Sequence, residues 1–376
     1  MMRADMPEKE RALLVYAHRK RARGPAAVLH VSELMEELGE LVRSAGAEVA
    51  GTHVQAVDAE NPATVVGKGV LERLKTEIGE RKINLVVFQN LLKPKQQARL
   101  EEGLEVKTLD RREIILDIFA QRARTREGKL QVELAQLSFG LGRLAGGRKE
   151  LSRLGGGIGT RGPGEKKLEE DRRRIRAQIR QIERELETVR RTRSLHYRRR
   201  REVGYPVVAL VGYTNSGKST LFNRMTGAGV YVADQLFATL DPTARKFRLP
   251  GGKDAILVDT VGFIHDLPEE LRQAFLATLE GIGEADLLVH VVDGSSDATD
   301  SNIASVDAIL SALAFREKPI LLAANKRDLC LPGAHAPEGA LRISARTGEG
   351  IPELLSTIER ELHLCRPEET VSIRPA

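Results

Sequence analysis

The residues that could do chemistry lie in Gly212-Tyr213-Thr214-Asn215-Ser216-Gly217-Lys218-Ser219-Thr220. The spacing fits G-x-x-x-x-G-K-[ST], a loop whose backbone cradles phosphate. Gly212 and Gly217 permit the turn that aims successive N–H groups at phosphate oxygens. A helix starting at the loop's end adds its partial positive charge. Lys218 supplies a full charge to the outer phosphates, and Ser219 offers a hydroxyl to Mg²⁺.

Three further motifs follow in order. Asp259-Thr260-Val261-Gly262 is D-x-x-G, forty residues after Ser219. Asp259 is suited to hold Mg²⁺ through water, and the Gly262 N–H to meet a γ-phosphate. Asn325-Lys326-Arg327-Asp328 is N-K-x-D, in which the Asp328 carboxylate accepts from the guanine ring N–H and exocyclic amine. Adenine presents the wrong pattern and leaves a buried carboxylate unpaired, which discriminates by roughly 10⁴ or more. Ser344-Ala345-Arg346 closes the base pocket. Between the first two motifs a threonine is needed that reaches both Mg²⁺ and the γ-phosphate. Thr226, Thr239 and Thr243 are candidates. Thr226 is too close to the helix, and Thr239, within Phe237-Ala238-Thr239-Leu240-Asp241, fits better. The motifs together predict a GTP site, with Lys218, Thr239 and Gly262 as its catalytic members and Ser219, Thr239 and Asp259 at the metal.

The elements that must position these residues are legible around them. Pro206 to Val211 is a short apolar, β-branched run and reads as a buried strand. Thr220 to Met225 begins a helix, so the glycine loop lies between strand and helix as the motif requires. Ala255–Val258, Leu287–Asp293 and Pro319–Ala324 read as further buried strands, the first and third ending in the D-x-x-G and N-K-x-D motifs. His290, inside such a strand, reads as core rather than catalytic. Tyr231 to Arg248 is polar and reads as a mobile stretch.

Upstream, residues 1–120 read as a small α/β domain with a parallel sheet. Ala12–Tyr16, Ile83–Phe88 and Val106–Leu109 are its strands. Val31–Ala45, Val70–Arg81 and Pro94–Leu104 are its helices, and Gly67-Lys68-Gly69 is a glycine turn. Residues 121–202 change character, holding 24 Lys/Arg against 11 Asp/Glu, a net +13 within a chain of net +6, so the other 294 residues carry −7. Such asymmetry points to an anionic partner for this segment. Leu130, Leu134, Leu137, Leu141 and Leu144 form one helical stripe. Leu168, Arg172, Ile175, Ile179, Ile182, Leu186 and Val189 form a second, with Arg172 its polar member. The two stripes predict an antiparallel hairpin, and because one molecule uses both, a monomer is expected. Its tip, Gly146 to Gly164, is rich in glycine and carries Arg148, Lys149, Arg153 and Arg161. It lacks a core of its own and has the chemistry for RNA phosphates. Gly157 to Gly162 matches G-x-G-x-x-G but follows no strand, so no dinucleotide site is assigned there. Residues 203–366 form the nucleotide domain and 367–376 a short tail.

Hydrophobic content of 41% suffices for real cores. Cys330 and Cys365 lack metal-ligand spacing and read as reduced thiols. No apolar run approaches the roughly 18 residues of a membrane span, and the charged start lacks a signal-peptide core, so a cytoplasmic location is expected.

With these residues in view, the chain resembles the HflX family of translation-factor-class GTPases. The resemblance rests on Gly155-Gly156-Gly157-Ile158-Gly159-Thr160-Arg161-Gly162-Pro163-Gly164-Glu165, on Phe237 to Pro242, on Asp259 to Ile264, on Gly67 to Gly69 and on Ile115 to Ala120. It implies a GTPase that binds the large ribosomal subunit and its RNA and dissociates stalled or idle ribosomes under stress, the hairpin tip reaching towards the peptidyl-transferase region. ATP hydrolysis, linked to the N-terminal region of some members, has no motif here. Lys166-Lys167 stand where the family often has an uncharged pair, and no counterpart of the C-terminal domain of longer members follows Arg366. Phe263 occupies the position of the usual water-orienting glutamine, so water must be positioned by the ribosome or by K⁺ at Asn215, the residue that coordinates K⁺ in cation-dependent relatives. A second reading is a GTP-gated RNA chaperone or assembly factor without splitting activity. No amphipathic membrane segment supports a third, regulation of a membrane protease.

Overall fold

Strands that are apolar on both faces frame each half of the chain. The computed structural model describes residues 9–20, 25–146, 163–202, 204–229, 236–237, 243–265, 281–313, 315, 317–330 and 336–365. The chain divides into two compact units near Thr188.

In the first unit the elements run β1 (Arg11–Arg19), α1 (Pro25–Ser44), β2 (Glu48–Val57), α2 (Lys68–Arg81), β3 (Leu85–Phe88), α3 (Pro94–Leu104), β4 (Lys107–Asp110), α4 (Arg111–Arg122) and α5 (Arg126–Gly146). Among the described residues four strands form a sheet in the order β2-β1-β3-β4, every pair parallel. Leu13, Val15, Val86 and Phe88 of the sheet pack with Val70, Leu74 and Ile78 of α2 and Leu100 and Leu104 of α3. β2 is a strand that no apolar run in the sequence marks. It is an edge strand, its residues alternate between exposed and half-buried, and a bulge opposite Ala12 and Leu13 interrupts its register. A strand that buries little has no apolar run to announce it. The Gly67-Lys68-Gly69 turn is the start of α2, with Gly67 as N-cap. Arg111 of α4 forms a buried ion pair with Glu37 of α1.

The two predicted stripes meet. α6 (Pro163–Glu202) returns along α5, and Leu134, Ile182 and Leu186 form a buried cluster with Leu130, Leu137 and Ile179 against it. Arg126 pairs with Glu185 at 3.0 Å across the two helices. Residues 147–162, most of the predicted hairpin tip, lie outside the described residues.

The second unit holds β5 (Val207–Val211), α7 (Lys218–Thr226), β6 (Thr243–Arg248), β7 (Asp254–Asp259), β8 (Leu287–Asp293), α8 (Thr299–Ala312), β9 (Ile320–Asn325), β10 (Leu341–Arg342) and α9 (Ile351–Cys365). Its described strands are ordered β10-β9-β8-β5-β7-β6, and only β6 is antiparallel to its neighbour. Val208, Leu210, Leu257, Leu287 and Val289 pack with Leu221 and Phe222 of α7 and Leu354 and Ile358 of α9. The stretch expected to be mobile is in part ordered. Thr243–Arg248 is β6, an edge strand that buries Phe247 and leaves its other side chains half-buried or exposed, hence its polar sequence. Among the described residues no helix is long and apolar enough to cross a membrane.

Candidate nucleotide site

Every residue of β5 is buried, and the chain leaves it at Gly212, φ +149°, where a Cβ would strike the Val291 carbonyl of β8. Asn215 is left-handed at φ +60°, and Gly217 at φ +92° opens α7. No side chain caps that helix. The Thr214 Oγ1 and Ser216 Oγ atoms are buried and have no hydrogen-bond partner. A turn of forced glycines, an uncapped helix start and unpaired hydroxyls together fit an anion that accepts hydrogen bonds.

Lys218 is buried, and its Nζ curls back to donate to the Gly212 carbonyl at 3.0 Å and the Tyr213 carbonyl at 2.6 Å. Burial lowers its pKa to about 8, against the opposing pull of the Asp259 charge. Asp259, fully buried at the end of β7, therefore lies within electrostatic reach of the amine. Ser219 and Thr220 follow on the first turn of α7. The hydroxyl of Ser219 and the carboxylate of Asp259 are the hard oxygen donors a magnesium ion takes.

The D-x-x-G segment lies on the phosphate loop. Phe263 N–H donates to the Gly212 carbonyl at 3.0 Å, and Thr214 N–H to the Phe263 carbonyl at 2.7 Å. A Cβ on Gly262 would fall 2.7 Å from Thr214 Cα and 2.9 Å from Lys218 Nζ, so any side chain there must push the phosphate loop or the lysine aside. Thr260 spends its hydroxyl on the Leu210 carbonyl at 2.6 Å, and Val261 and Phe263 are buried. The Phe263 side chain therefore lies in the protein interior.

At the base end, Asn325 is a tie. Its Nδ2 donates to the Ser216 carbonyl at 2.9 Å and its Oδ1 accepts from Ala345 N–H at 2.9 Å. Lys326, φ +63°, pairs with Asp293 at 2.6 Å, and Arg327 with Glu349 at 3.2 Å. The Asp328 carboxylate accepts from the Ser344 hydroxyl at 2.6 Å and pairs with Arg346 at 3.1 Å. The Ser344 hydrogen bond, with help from the Arg346 and Lys326 charges, holds that carboxyl below the usual range. Sequence reasoning missed Arg224, whose guanidinium on α7 donates to the carbonyls of Ala345 and Arg346. It also missed the bridging role of Asn325, which appears only once three distant segments are folded together.

The structure thus brings together the phosphate loop, Asp259–Gly262, Asn325–Asp328 and Ser344–Arg346. Phe237 is buried with φ +55°, but Ala238, Thr239, Leu240 and Asp241 lie outside the described residues. Of the other threonines considered, Thr226 donates to the Phe222 carbonyl at 2.7 Å and Thr243 starts β6 in register with Asp259. His290 is a core residue of the inner strand β8, and burial, followed by the Lys218 charge, lowers its pKa to about 4.

Family comparisons agree with this geometry. Residues 32–120 match a GTP-binding GTPase N-terminal model, 122–200 a GTP-binding GTPase middle-region model, and 207–326 a model described as a 50S ribosome-binding GTPase. GTPase HflX of Caldanaerobacter subterraneus subsp. tengcongensis is 51% identical over 330 residues, 88% of this chain and 77% of that protein. GTPase HflX of Escherichia coli K12 is 43% identical over 350 residues, 91% of this chain and 82% of that protein. The crystal structure of SsGBP with GDP superposes with a TM-score of 0.51 at 22% identity, covering 94% of this chain and 99% of the other, a likeness of fold alone. The chain is therefore a GTP-hydrolysing P-loop protein and belongs to the HflX family of GTPases.

Proposed function

We propose that this GTPase engages the large ribosomal subunit and couples GTP binding and hydrolysis to the dissociation or rescue of stalled or idle ribosomes under stress. The observation that carries the reading is the split character of α6. Ile179, Ile182 and Leu186 face α5, while Arg173, Arg174, Arg176, Arg180 and Arg184 stand exposed along the same helix. One side is spent on packing, and the other carries exposed arginines, interspersed with Glu169, Glu170, Glu183 and Glu187, that RNA phosphates can meet. The ribosome-binding description of the model matched by residues 207–326 supports the same partner. In this reading residues 1–120, 121–202 and 203–366 are an α/β domain, an RNA-binding hairpin and the GTPase domain of a monomer acting in the cytoplasm.

At the site, the backbone from Gly212 to Thr220 takes the phosphates and Lys218 neutralises the outer ones. Gly262 offers its N–H to the γ-phosphate, Asp328 reads guanine, and Ser344 to Arg346 close beneath the base. Ser219, Asp259 and Thr239 would hold Mg²⁺, which when bound neutralises charge on the phosphates. Thr239, within Phe237 to Asp241, is the threonine that would meet the γ-phosphate. With Phe263 buried, no side chain at that position orients water, so positioning comes from the ribosome, aided by K⁺ at Asn215.

Steady-state GTP hydrolysis with and without purified large subunits, in KCl and in NaCl, tests this. Strong stimulation by subunits, greater in KCl, is expected, together with GTP-dependent loss of intact ribosomes on sucrose gradients. Binding to free RNA or immature subunits without loss of intact ribosomes would replace the reading with that of an RNA chaperone. Equal rates in the two salts would remove the K⁺ role.

A further inference from the structure

The backbone pairing of Phe263 with the phosphate loop is one of several tethers on the segment after Gly262. Two residues further on, the His265 peptide N–H donates to the Tyr213 hydroxyl at 2.7 Å. The two rings lie 5.0 Å apart, inclined at 54°. The His265 imidazole also meets α8, where its Nδ1 is 2.9 Å from the Ser305 hydroxyl. That hydroxyl lies 3.0 Å from the Ser301 carbonyl as well. Ser305 has one proton to give, so if it goes to Ser301, His265 carries its own proton on Nδ1 and donates to Ser305. His265 is 8% exposed, so this small network is largely shielded from water.

We propose that Tyr213, His265 and Ser305 form a clamp that fixes Gly262 for the terminal phosphate and thereby separates GTP from GDP. The three act through Gly262 and are positioning residues. Tyr213 links the two halves of the device, since its carbonyl accepts from Lys218 Nζ at 2.6 Å while its hydroxyl holds His265. Gly262 lies between the Asp259 end of β7 and two anchor points, Phe263 and His265. A peptide N–H fixed in this way meets developing charge without first reorganising. Misplacement by about 1 Å can cost on the order of 10²-fold in rate, so small tethers have large leverage. The leverage matters here because the Phe263 side chain is buried and backbone placement must serve instead.

The proposal rests on assigning Gly262 to the γ-phosphate. Tyr213→Phe and Ser305→Ala, singly and together in the full chain, are assayed without ribosomes for intrinsic hydrolysis and for affinity towards GDP and a non-hydrolysable GTP analogue. Tyr213→Phe removes one hydrogen bond and Ser305→Ala the contacts with His265 and the Ser301 carbonyl, so kcat and analogue affinity should fall about three- to tenfold in each, and in Ser305→Ala, which lies outside the phosphate loop, GDP affinity should hold. Both act through His265, so the double variant should lose less than the product of the two. Ser305→Thr, which keeps the hydroxyl, should retain wild-type hydrolysis. GDP and analogue affinities falling in step would mean a merely structural role and overturn the clamp, as would unchanged kcat in both single variants. Ser305→Ala lies outside the phosphate loop and decides the matter if Tyr213→Phe does not fold. Gly262→Ala separates the two layers. If it keeps the preference for the analogue over GDP, the Gly262 assignment fails; if it loses that preference while the other variants keep theirs, only the clamp fails.

Discussion

Two helices of this chain, α4 and α7, begin beyond the C-terminal ends of parallel strands and treat their free N–H groups in opposite ways. At α4 the Asp110 carboxylate accepts from Arg112 N–H at 3.0 Å and Glu113 N–H at 3.3 Å, and Asp110 N–H donates to the Glu113 carboxylate at 3.1 Å. The Asp110 carboxylate also accepts from Leu92 N–H at 3.0 Å and from the Arg112 guanidinium at 2.6 Å. An anion built into the chain fills the positive end of the helix. At α7 the cap is Gly217, no side chain closes it, and a buried lysine and two unpaired buried hydroxyls stand alongside. The chain has omitted at α7 the anion it supplies at α4. Both units are α/β folds on mainly parallel sheets, so the fold class does not distinguish them; the closure of a helix end does.

The largest expected effect comes from removing the cation at the open end. Lys218→Ala should lower single-turnover GTP hydrolysis by about 10²–10³-fold, the scale of losing one preorganised electrostatic contact. Stability of the nucleotide-free protein, read from its urea midpoint, should not fall, because a buried charge is removed with it. A lower midpoint with near-normal hydrolysis would make Lys218 a structural residue and abolish the contrast.

Opening the closed end should do the reverse. Asp110→Ala removes a cap, worth about 1–2 kcal/mol, and also strands the Leu92 N–H. Urea unfolding should report that loss while GDP affinity stays unchanged. Altered nucleotide affinity with undiminished stability would show that Asp110 serves the site and not the fold.

How much of this was readable beforehand follows from burial. β3, β5 and β8 are buried almost throughout, and their unbroken apolar runs showed in the sequence. β2 and β6 are edges, and Thr52-His53-Val54-Gln55 and Ala244-Arg245-Lys246 gave no such run. The phosphate loop was legible because Gly212 and Gly217 are dictated by local backbone geometry. Asp110 has a local signal too, Asp-x-x-Glu before an apolar run, the signature of a capping box. The contacts of Asn325 with Ser216 and Ala345, of Arg224 with Ala345, and of His265 with Tyr213 and Ser305 join residues 20 to 121 positions apart. No periodicity or local spacing encodes such pairs.

The smallest expected effect sharpens the comparison most, because it counts charge directly. Burial lowers the Lys218 pKa from 10.5 to about 8. The folded value lies below the unfolded one, so the native protein gives up this proton first. The group's contribution to stability therefore rises as pH climbs from about 8 towards 10.5, and below 8 the fold bears the cost of a buried cation. Bound phosphate favours the charged amine and must raise its pKa again. GDP binding at pH 8 should therefore take up roughly half a proton, falling towards none near pH 6. Calorimetry of GDP binding in buffers of different ionisation enthalpy measures this as a slope, which Lys218→Met should flatten if the variant retains measurable affinity. α4 needs no such uptake, because its anion is part of the chain. A zero slope at pH 8 in the wild type would mean that Lys218 is already fully charged before nucleotide arrives, leaving geometry alone to distinguish the open helix end from the closed one.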